Sequence, residues 1–283
     1  HRIVIMDFFD FYLSLVVVQP HFFNTLDGKK MFDYTLKVSG NDVSVVSIAL
    51  KAEDVGVNAS AAIQKAVDEC AENGGGTILL EKGEYILTEP LKIRTSVIIR
   101  GEKDPTDKSL PGENTVLIAK HGKNDPDGEA QITLAACTGI KDLVIYYPEQ
   151  SIENPVPYSP AIRQHGVDSI TIENVVLVNP WRGIQCGPDG NELHFIKNVY
   201  MTPLNVGLYI DMTTDIGRMQ GMHITPDCCA AFTKTPVEKV REYTLKNTTA
   251  LFMARSDWEY GYDISAEYCK TGIKITAVKD SGP

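Results

Sequence analysis

At 283 residues the chain is long enough for one large or two small domains, and its 43% hydrophobic and 23% charged residues are those of a folded protein. A formal net charge of −10 repels polyanions, which excludes nucleic acid and acidic membrane surfaces as general partners; a polyanionic polymer would need a local basic patch or a bridging metal, whereas a neutral one would not. The six cysteines (Cys70, Cys137, Cys186, Cys228, Cys229 and Cys269) are too sparse for a disulfide scaffold and lack C-x-x-C spacing, so they read as reduced thiols with no zinc site.

The chain opens at His1, which implies a processed, tagged or excised start. Residues 3–18 are apolar and aromatic, but Asp7 and Asp10 interrupt them and only Arg2 precedes them, a poor pattern for a membrane span or a signal peptide. Asn24 to Ala49 reads as short strands joined by turns at Leu26-Asp27-Gly28-Lys29 and Ser39-Gly40-Asn41-Asp42. Residues 1–50 are therefore assigned to an N-terminal segment or the end of an upstream module, and residues 51–283 to one principal domain. A helix is predicted between Asn58 and Gly76: Ala62, Ile63, Ala66, Val67, Cys70 and Ala71 make one apolar face, Asn58 or Ser60 can cap it, and Gly74-Gly75-Gly76 ends it.

Beyond residue 139 a short apolar phrase recurs. Its copies are Ile140-Lys141-Asp142-Leu143, Ile172-Glu173-Asn174-Val175, Ile196-Lys197-Asn198-Val199 and Met219-Gln220-Gly221-Met222, at intervals of 32, 24 and 23 residues. A second phrase alternates with it, beginning at Ile162, Ile184, Leu208, Leu251 and Ile273. Two strand-like phrases per period of about 23 mark a solenoid. Leucine-rich repeats share that period, but these coils are rich in Ile, Val, Thr and Tyr and lack a helical half, so a parallel β-helix is predicted. In it Ile140, Ile172, Ile196 and Met219 stack as one internal ladder, and Leu143, Val175, Val199 and Met222 as another, while Lys141, Glu173, Lys197 and Gln220 point to water. Asp142, Asn174 and Asn198 fall where each strand bends and are predicted to bond one another up the stack. The helix before the first strands would cover the open end of the tube. Polar insertions at 102–114 and 120–128 are placed as loops walling a groove, and an excursion at 227–248 holds a short helix from Pro236 to Tyr243. No closing element follows Ile275, so further sequence or a partner is expected over the last coil.

Asp54-Val55-Gly56-Val57-Asn58, the helix segment 61–68, Gly74-Gly75-Gly76-Thr77-Ile78-Leu79-Leu80-Glu81-Lys82-Gly83-Glu84-Tyr85-Ile86-Leu87 and Ser96-Val97-Ile98-Ile99-Arg100-Gly101-Glu102 resemble the opening of the pectate-lyase-like superfamily. The likeness is nearest to the group shared by rhamnogalacturonases, polygalacturonase-related proteins, exo-glucanases and phage tailspikes. It is close over residues 54–102 and extends loosely through the repeats. The resemblance implies an all-β, right-handed parallel β-helix, secreted or at the cell surface, that acts on polysaccharide. The repeats alone give neither the handedness nor the substrate.

Chemistry on such a tube comes from outward side chains of successive coils. Register places His165, Gly187, Asp211 and Ala254 in one column, and Arg163, Gln185, Tyr209 and Phe252 in the next. Carboxylates, cations and aromatic rings near these strand ends suit a sugar site. The catalytic pair is sought among Asp211, Asp215, Asp257 and Glu259, since glycosidic cleavage uses two carboxyls about 5–9.5 Å apart. Arg163, His165, Trp181, Tyr209, Arg218, His223, Arg255 and Trp258 are the candidate substrate contacts, with Arg182 beside them; His223 reads more readily as a stacked neighbour of Tyr200. No Asn-Thr-Asp, Asp-Asp, Gly-His-Gly or Arg-x-Pro-x-x-Arg motif is present, and Gln164-His165-Gly166 is a partial echo. The leading expectation is a secreted glycoside hydrolase of polysaccharide, with no cofactor. A uronate lyase or epimerase, for which Ca²⁺ enters, and a non-catalytic glycan-binding or tailspike-like module are the alternatives.

Overall fold

The computed structural model describes residues 35–39, 42–107, 113–164 and 166–278. The apolar stretch 3–18, the turn at 26–29 and His165 lie outside the described residues. In chain order the elements begin with β1 (Thr35–Ser39), β2 (Asp42–Leu50), helix α1 (Ser60–Glu72), β3 (Gly76–Leu80), β4 (Gly83–Leu87), β5 (Leu91–Ile93), β6 (Val97–Gly101), β7 (Thr115–Ala119) and β8 (Ile132–Leu134). They continue with β9 (Gly139–Tyr146), β10 (Ile162–Gln164), β11 (Thr171–Val178), β12 (Arg182–Cys186), β13 (Phe195–Thr202), β14 (Val206–Ile210) and β15 (Gly217–Ile224). Helices α2 (Asp227–Thr233) and α3 (Val237–Asn247) precede β16 (Thr249–Met253), β17 (Glu259–Ala266) and β18 (Thr271–Ile275).

Successive coils alternate between two parallel sheets. One runs β2-β3-β6-β9-β11-β13-β15-β17, with β1 antiparallel at its edge and β4 and β7 attached; the other runs β5-β8-β10-β12-β14-β16-β18. This is a parallel β-helix, for which strand twist favours right-handed crossovers. β2 pairs in parallel with β3, Ala49 opposite Leu79, so the segment just before residue 51 is hydrogen-bonded to the first coil.

The two internal ladders form in the register the repeats require, Ile140–Ile172–Ile196–Met219 and Leu143–Val175–Val199–Met222. All eight side chains are buried. Each contributes roughly 1.5–3 kcal/mol by leaving water, so an Asp at Val199 would open the tube locally. The outward column is drier than expected: Glu173 takes Lys141 at 2.8 Å on one side and Lys197 at 2.9 Å on the other. The intervening bends are left-handed, with φ of +56° at Asp142, +53° at Asn174, +51° at Asn198, +66° at Gly221 and +52° at Asp263. Asn and Asp tolerate that conformation better than other side chains do.

Helix α1 packs Ile63, Ala66, Val67 and Cys70 into the core. Its N-cap residue is Ala59; the Asn58 side chain accepts from the Ser60 amide, and the Ser60 hydroxyl turns instead to the backbone of Glu89. The excursion after β15 contains two helices where one was expected. Seven residues are too few for α2 to show a helical period, yet it lays Phe232 on Tyr146 at 4.7 Å between ring centroids and so covers part of the outer face of the first sheet. All six cysteines are free thiols, with Cys70, Cys186 and Cys229 buried. The inward-phase residues of the last coil, Ile273 and Ile275, are exposed at 59% and 65%.

Candidate functional site

Strand pairing of the second sheet carries one outward column through Lys92, Thr133, Arg163, Gln185, Tyr209, Phe252 and Lys274. Over its middle opens a cavity of about 540 Å³, lined by Arg163, Arg182, Gln185, Tyr209, Phe252, Asn205 and the Pro126-Asp127-Gly128 stretch of the insertion. A smaller space of about 280 Å³ shares Asp127, Gly128 and Arg163 and continues toward Thr133 and Glu129. The polar insertion therefore does wall a groove, as loops on one flank of a solenoid do.

Arg182 fixes that wall. Its Nη1 donates to the Pro126 carbonyl at 3.0 Å and lies 3.2 Å from Asp127 Oδ1. Arg163 meets Asp189 at 3.6 Å, and its buried Nε has no hydrogen-bond partner among the described residues. Tyr209 donates its hydroxyl to Asp211 Oδ2 at 2.9 Å, and the other carboxylate oxygen of Asp211 accepts the Arg255 backbone N–H at 3.2 Å. Burial, and then the Asp211 carboxylate, push the Tyr209 phenol above its ordinary range, with Arg182 opposing; the hydroxyl keeps its proton. Phe252 stands edge-on to Tyr209, centroids 5.2 Å apart, and Lys274 Nζ lies 4.4 Å from the Phe252 ring.

Of the residues singled out in the sequence, Arg163, Arg182 and Tyr209 line the cavity, and Asp211, 3% exposed, stands behind Tyr209. The other described ones lie off its lining. Asp215 accepts the Ile216 N–H at 2.7 Å within its own turn, and Asp257 pairs with Arg255 at 3.2 Å. Glu259 turns inward and meets the buried His194 at 2.9 Å. Burial works against the charged imidazole of His194, but Cys186 and Glu259 beside it outweigh that and raise its pKa. His223 stacks on Tyr200 at 4.5 Å and reaches Ser265 Oγ at 2.9 Å, the stacked arrangement expected of it. Trp181 packs against the core, whereas Arg218 and Trp258 are exposed, Arg218 on β15 and Trp258 just ahead of β17 in the other sheet. Gln185 and Phe252 were visible in the outward column without being assigned a role. Asp127 gave no signal, because it reaches the cleft from a loop 55 residues before Arg182.

Calcium would need several oxygen ligands converging. Among the described residues no three His, Cys, Asp or Glu side chains gather into such a site, so the residues present do not fit a bound ion.

Fold and cleft together define a parallel β-helix with a groove over the outer face of its second sheet. The chain belongs to the Rhamnogalacturonase A/epimerase, pectate lyase-like family, whose model matches residues 43–274. No curated protein matches it by sequence. Among solved structures it is similar to pectin methylesterase PemA from Erwinia chrysanthemi, at 13% identity and TM-score 0.36 over 83% of this chain and 91% of that one. It is similar to the tailspike gp49 of Acinetobacter baumannii bacteriophage Fri1, a capsular polysaccharide depolymerase, at 14% identity and TM-score 0.36 over 76% of this chain and 40% of that one. It is also similar to the A-module of the mannuronan C-5 epimerase AlgE4 of Azotobacter vinelandii, at 12% identity and TM-score 0.29 over 81% of this chain and all of that one (100%). At these identities no residue's role carries over.

Proposed function

We propose that the protein acts outside the cell on a uronate-bearing polysaccharide held in the cleft, by proton transfer next to the uronate carboxylate, leading to elimination or epimerisation. The observation that carries this reading is the composition of the lining: two guanidinium groups, one phenol and one exposed carboxylate. Arg163 and Arg182 are the cations that a polyanion requires of so acidic a chain, the polymer's carboxylates displacing Asp189 and Asp127 from them. A uronate carboxylate neutralised by Arg163 makes the neighbouring C5 proton more acidic. In this reading Asp127, released from Arg182 by the incoming carboxylate, is the base that takes that proton. For elimination the C4–O4 bond then breaks, and Tyr209, which holds its proton, donates it to the leaving oxygen. Asp211 orients the phenol by accepting its hydrogen bond, and solvent returns a proton to Tyr209 as Asp127 releases the one it took, which closes the cycle.

A second reading, hydrolysis, is favoured by Asp127 at the lining and Asp211 behind Tyr209, two acids on one cleft. The experiment is a panel of polygalacturonate, alginate, xylan and glucan, followed by ultraviolet absorbance of unsaturated uronate, by reducing ends and by NMR for C5 inversion. Unsaturated or inverted uronate is the expected product. Reducing ends without either would establish hydrolysis instead, and binding without product would make this a glycan-binding module. Tyr209→Phe should lower kcat about 10²–10⁴-fold with little change in KM. Arg163→Ala should raise KM and lower kcat together, since Arg163 both binds the carboxylate and acidifies the C5 proton.

A further inference from the structure

Strand β17 carries three aromatic side chains in alternate positions, beginning one residue before it: Trp258, Tyr260 and Tyr262, exposed at 58%, 55% and 72%. Alternate residues of a strand share a face, about 6.6 Å apart. Their phase is outward, because Glu259 between the first two points inward to His194. The column beneath Tyr260 holds Arg218 and then Phe195, and that beneath Tyr262 holds Gln220. Arg218 and Gln220 are exposed, and Arg218 has no ion-pair partner among the described residues. None of these residues lines the cleft, which lies on the outer face of the other sheet.

We propose that this strip is a second polysaccharide-binding surface, separate from the cleft, which holds the polymer on which the cleft acts. The inference rests on the polysaccharide reading above. A sugar ring offers an apolar face to an aromatic ring and hydroxyls around its edge, and here rings spaced along one line are flanked by a guanidinium, an amide and two phenolic hydroxyls. A protein partner is the poorer occupant. Three aromatic side chains of roughly 150–250 Å² each, a little over half exposed, present about 300–450 Å², against about 800 Å² per partner in a stable interface. A further coil stacked on β17 would pair with its edge and cover one flank of each ring, leaving the outward faces to the polymer.

The test is retardation in native gels containing the polymer that the panel identifies, or polygalacturonate if none is turned over. It compares the wild type, Trp258→Ala/Tyr260→Ala, and the cleft variant Arg163→Ala/Arg182→Ala. The strip variant should bind polymer at least ten-fold more weakly, turn over a short oligosaccharide at the wild-type rate and keep its circular dichroism. The cleft variant should retain a retardation that disappears when the strip substitutions are added. Unchanged retardation of the strip variant overturns this inference and leaves the cleft reading standing. A change from dimer to monomer in sedimentation overturns it in favour of an interface between copies. Absence of any retardation of the wild type overturns this inference, while product formation in the panel still decides the cleft reading.

Discussion

Glu259 and Asp211 are both almost shut away from water, yet their partners differ. Glu259 reaches back two coils to His194 through the gap left by Gly217, where an added Cβ would meet both side chains at 2.4 Å. The raised His194 pKa has a definite sign. The folded state holds the proton more tightly than the unfolded chain, so the stabilisation is complete below about 6.5, the unfolded value, and is lost as pH rises through the folded pKa. The Tm of the wild type should therefore fall steadily from neutral to alkaline pH. Glu259→Ala, which leaves a buried imidazole without its carboxylate, should cost about 3–5 kcal/mol near neutrality and flatten that dependence. An NMR titration placing His194 near its ordinary range would refute this account. The inward phase of Glu259 was legible in principle, since register aligns it with Ile170, His194 and Gly217, all buried. A reading that looked only for carboxylates near strand ends passed over that phase. Asp127 was beyond such reasoning, because no periodicity reports where a loop folds back.

At the scale of the coil, the bends form a continuous polar seam. Arg100 Nε donates to Asp142 at 2.7 Å, Asn174 donates to Asp142 at 2.7 Å, and Asn198 donates to Asn174 at 2.8 Å and to Thr106 at 2.6 Å. The three Asx residues were legible because they recur in step with the apolar phrase. Arg100 lies one coil earlier in the neighbouring column, opposite Lys141, and Thr106 comes from the insertion, 92 residues before Asn198, so nothing in the repeat points to either. Gly221 interrupts the seam between Asn198 and Asp263. A Cβ there would meet Asn198 backbone at 3.5 Å and Asp263 Oδ2 at 4.0 Å, ordinary contacts, and the +66° φ is one that Asn accepts. Gly221→Asn should therefore extend the seam and stabilise the protein by about 0.5–1 kcal/mol, raising Tm by roughly 1–4 °C. Asn174→Ala removes a donor and an acceptor at a left-handed position and should cost about 1–3 kcal/mol. A Tm for Gly221→Asn below that of the wild type would mean that the seam gains nothing from continuity.

For the whole molecule, a chain of net charge −10 that draws in a polyanion has two electrostatic terms of opposite sign and different range. Repulsion by the overall field acts across the molecule, whereas attraction by Arg163 and Arg182 acts at contact. Salt removes the long-range term first. The Debye length is about 30 Å at 0.01 M, about 8 Å at 0.15 M and about 3 Å at 1 M, so at low salt the field of the protein reaches the approaching polymer unscreened. Near physiological salt that field is confined to its immediate surface, while guanidinium–carboxylate contacts in a partly enclosed cleft persist. At molar salt those contacts weaken too. KM for a uronate polymer should pass through a minimum at intermediate ionic strength, whereas Arg163→Ala, lacking half of the contact term, should show a shallower minimum and a higher KM throughout. The affinity of the aromatic strip for a neutral polymer should be nearly independent of salt, because ring stacking carries no net charge to screen. Steady-state rates on the uronate polymer and native-gel retardation by the neutral one, both from 0.01 to 1 M NaCl, decide the matter. A KM that rises monotonically from the lowest salt would mean that the local basic patch dominates at every distance, and that the acidity of the rest of the surface plays no part in substrate capture.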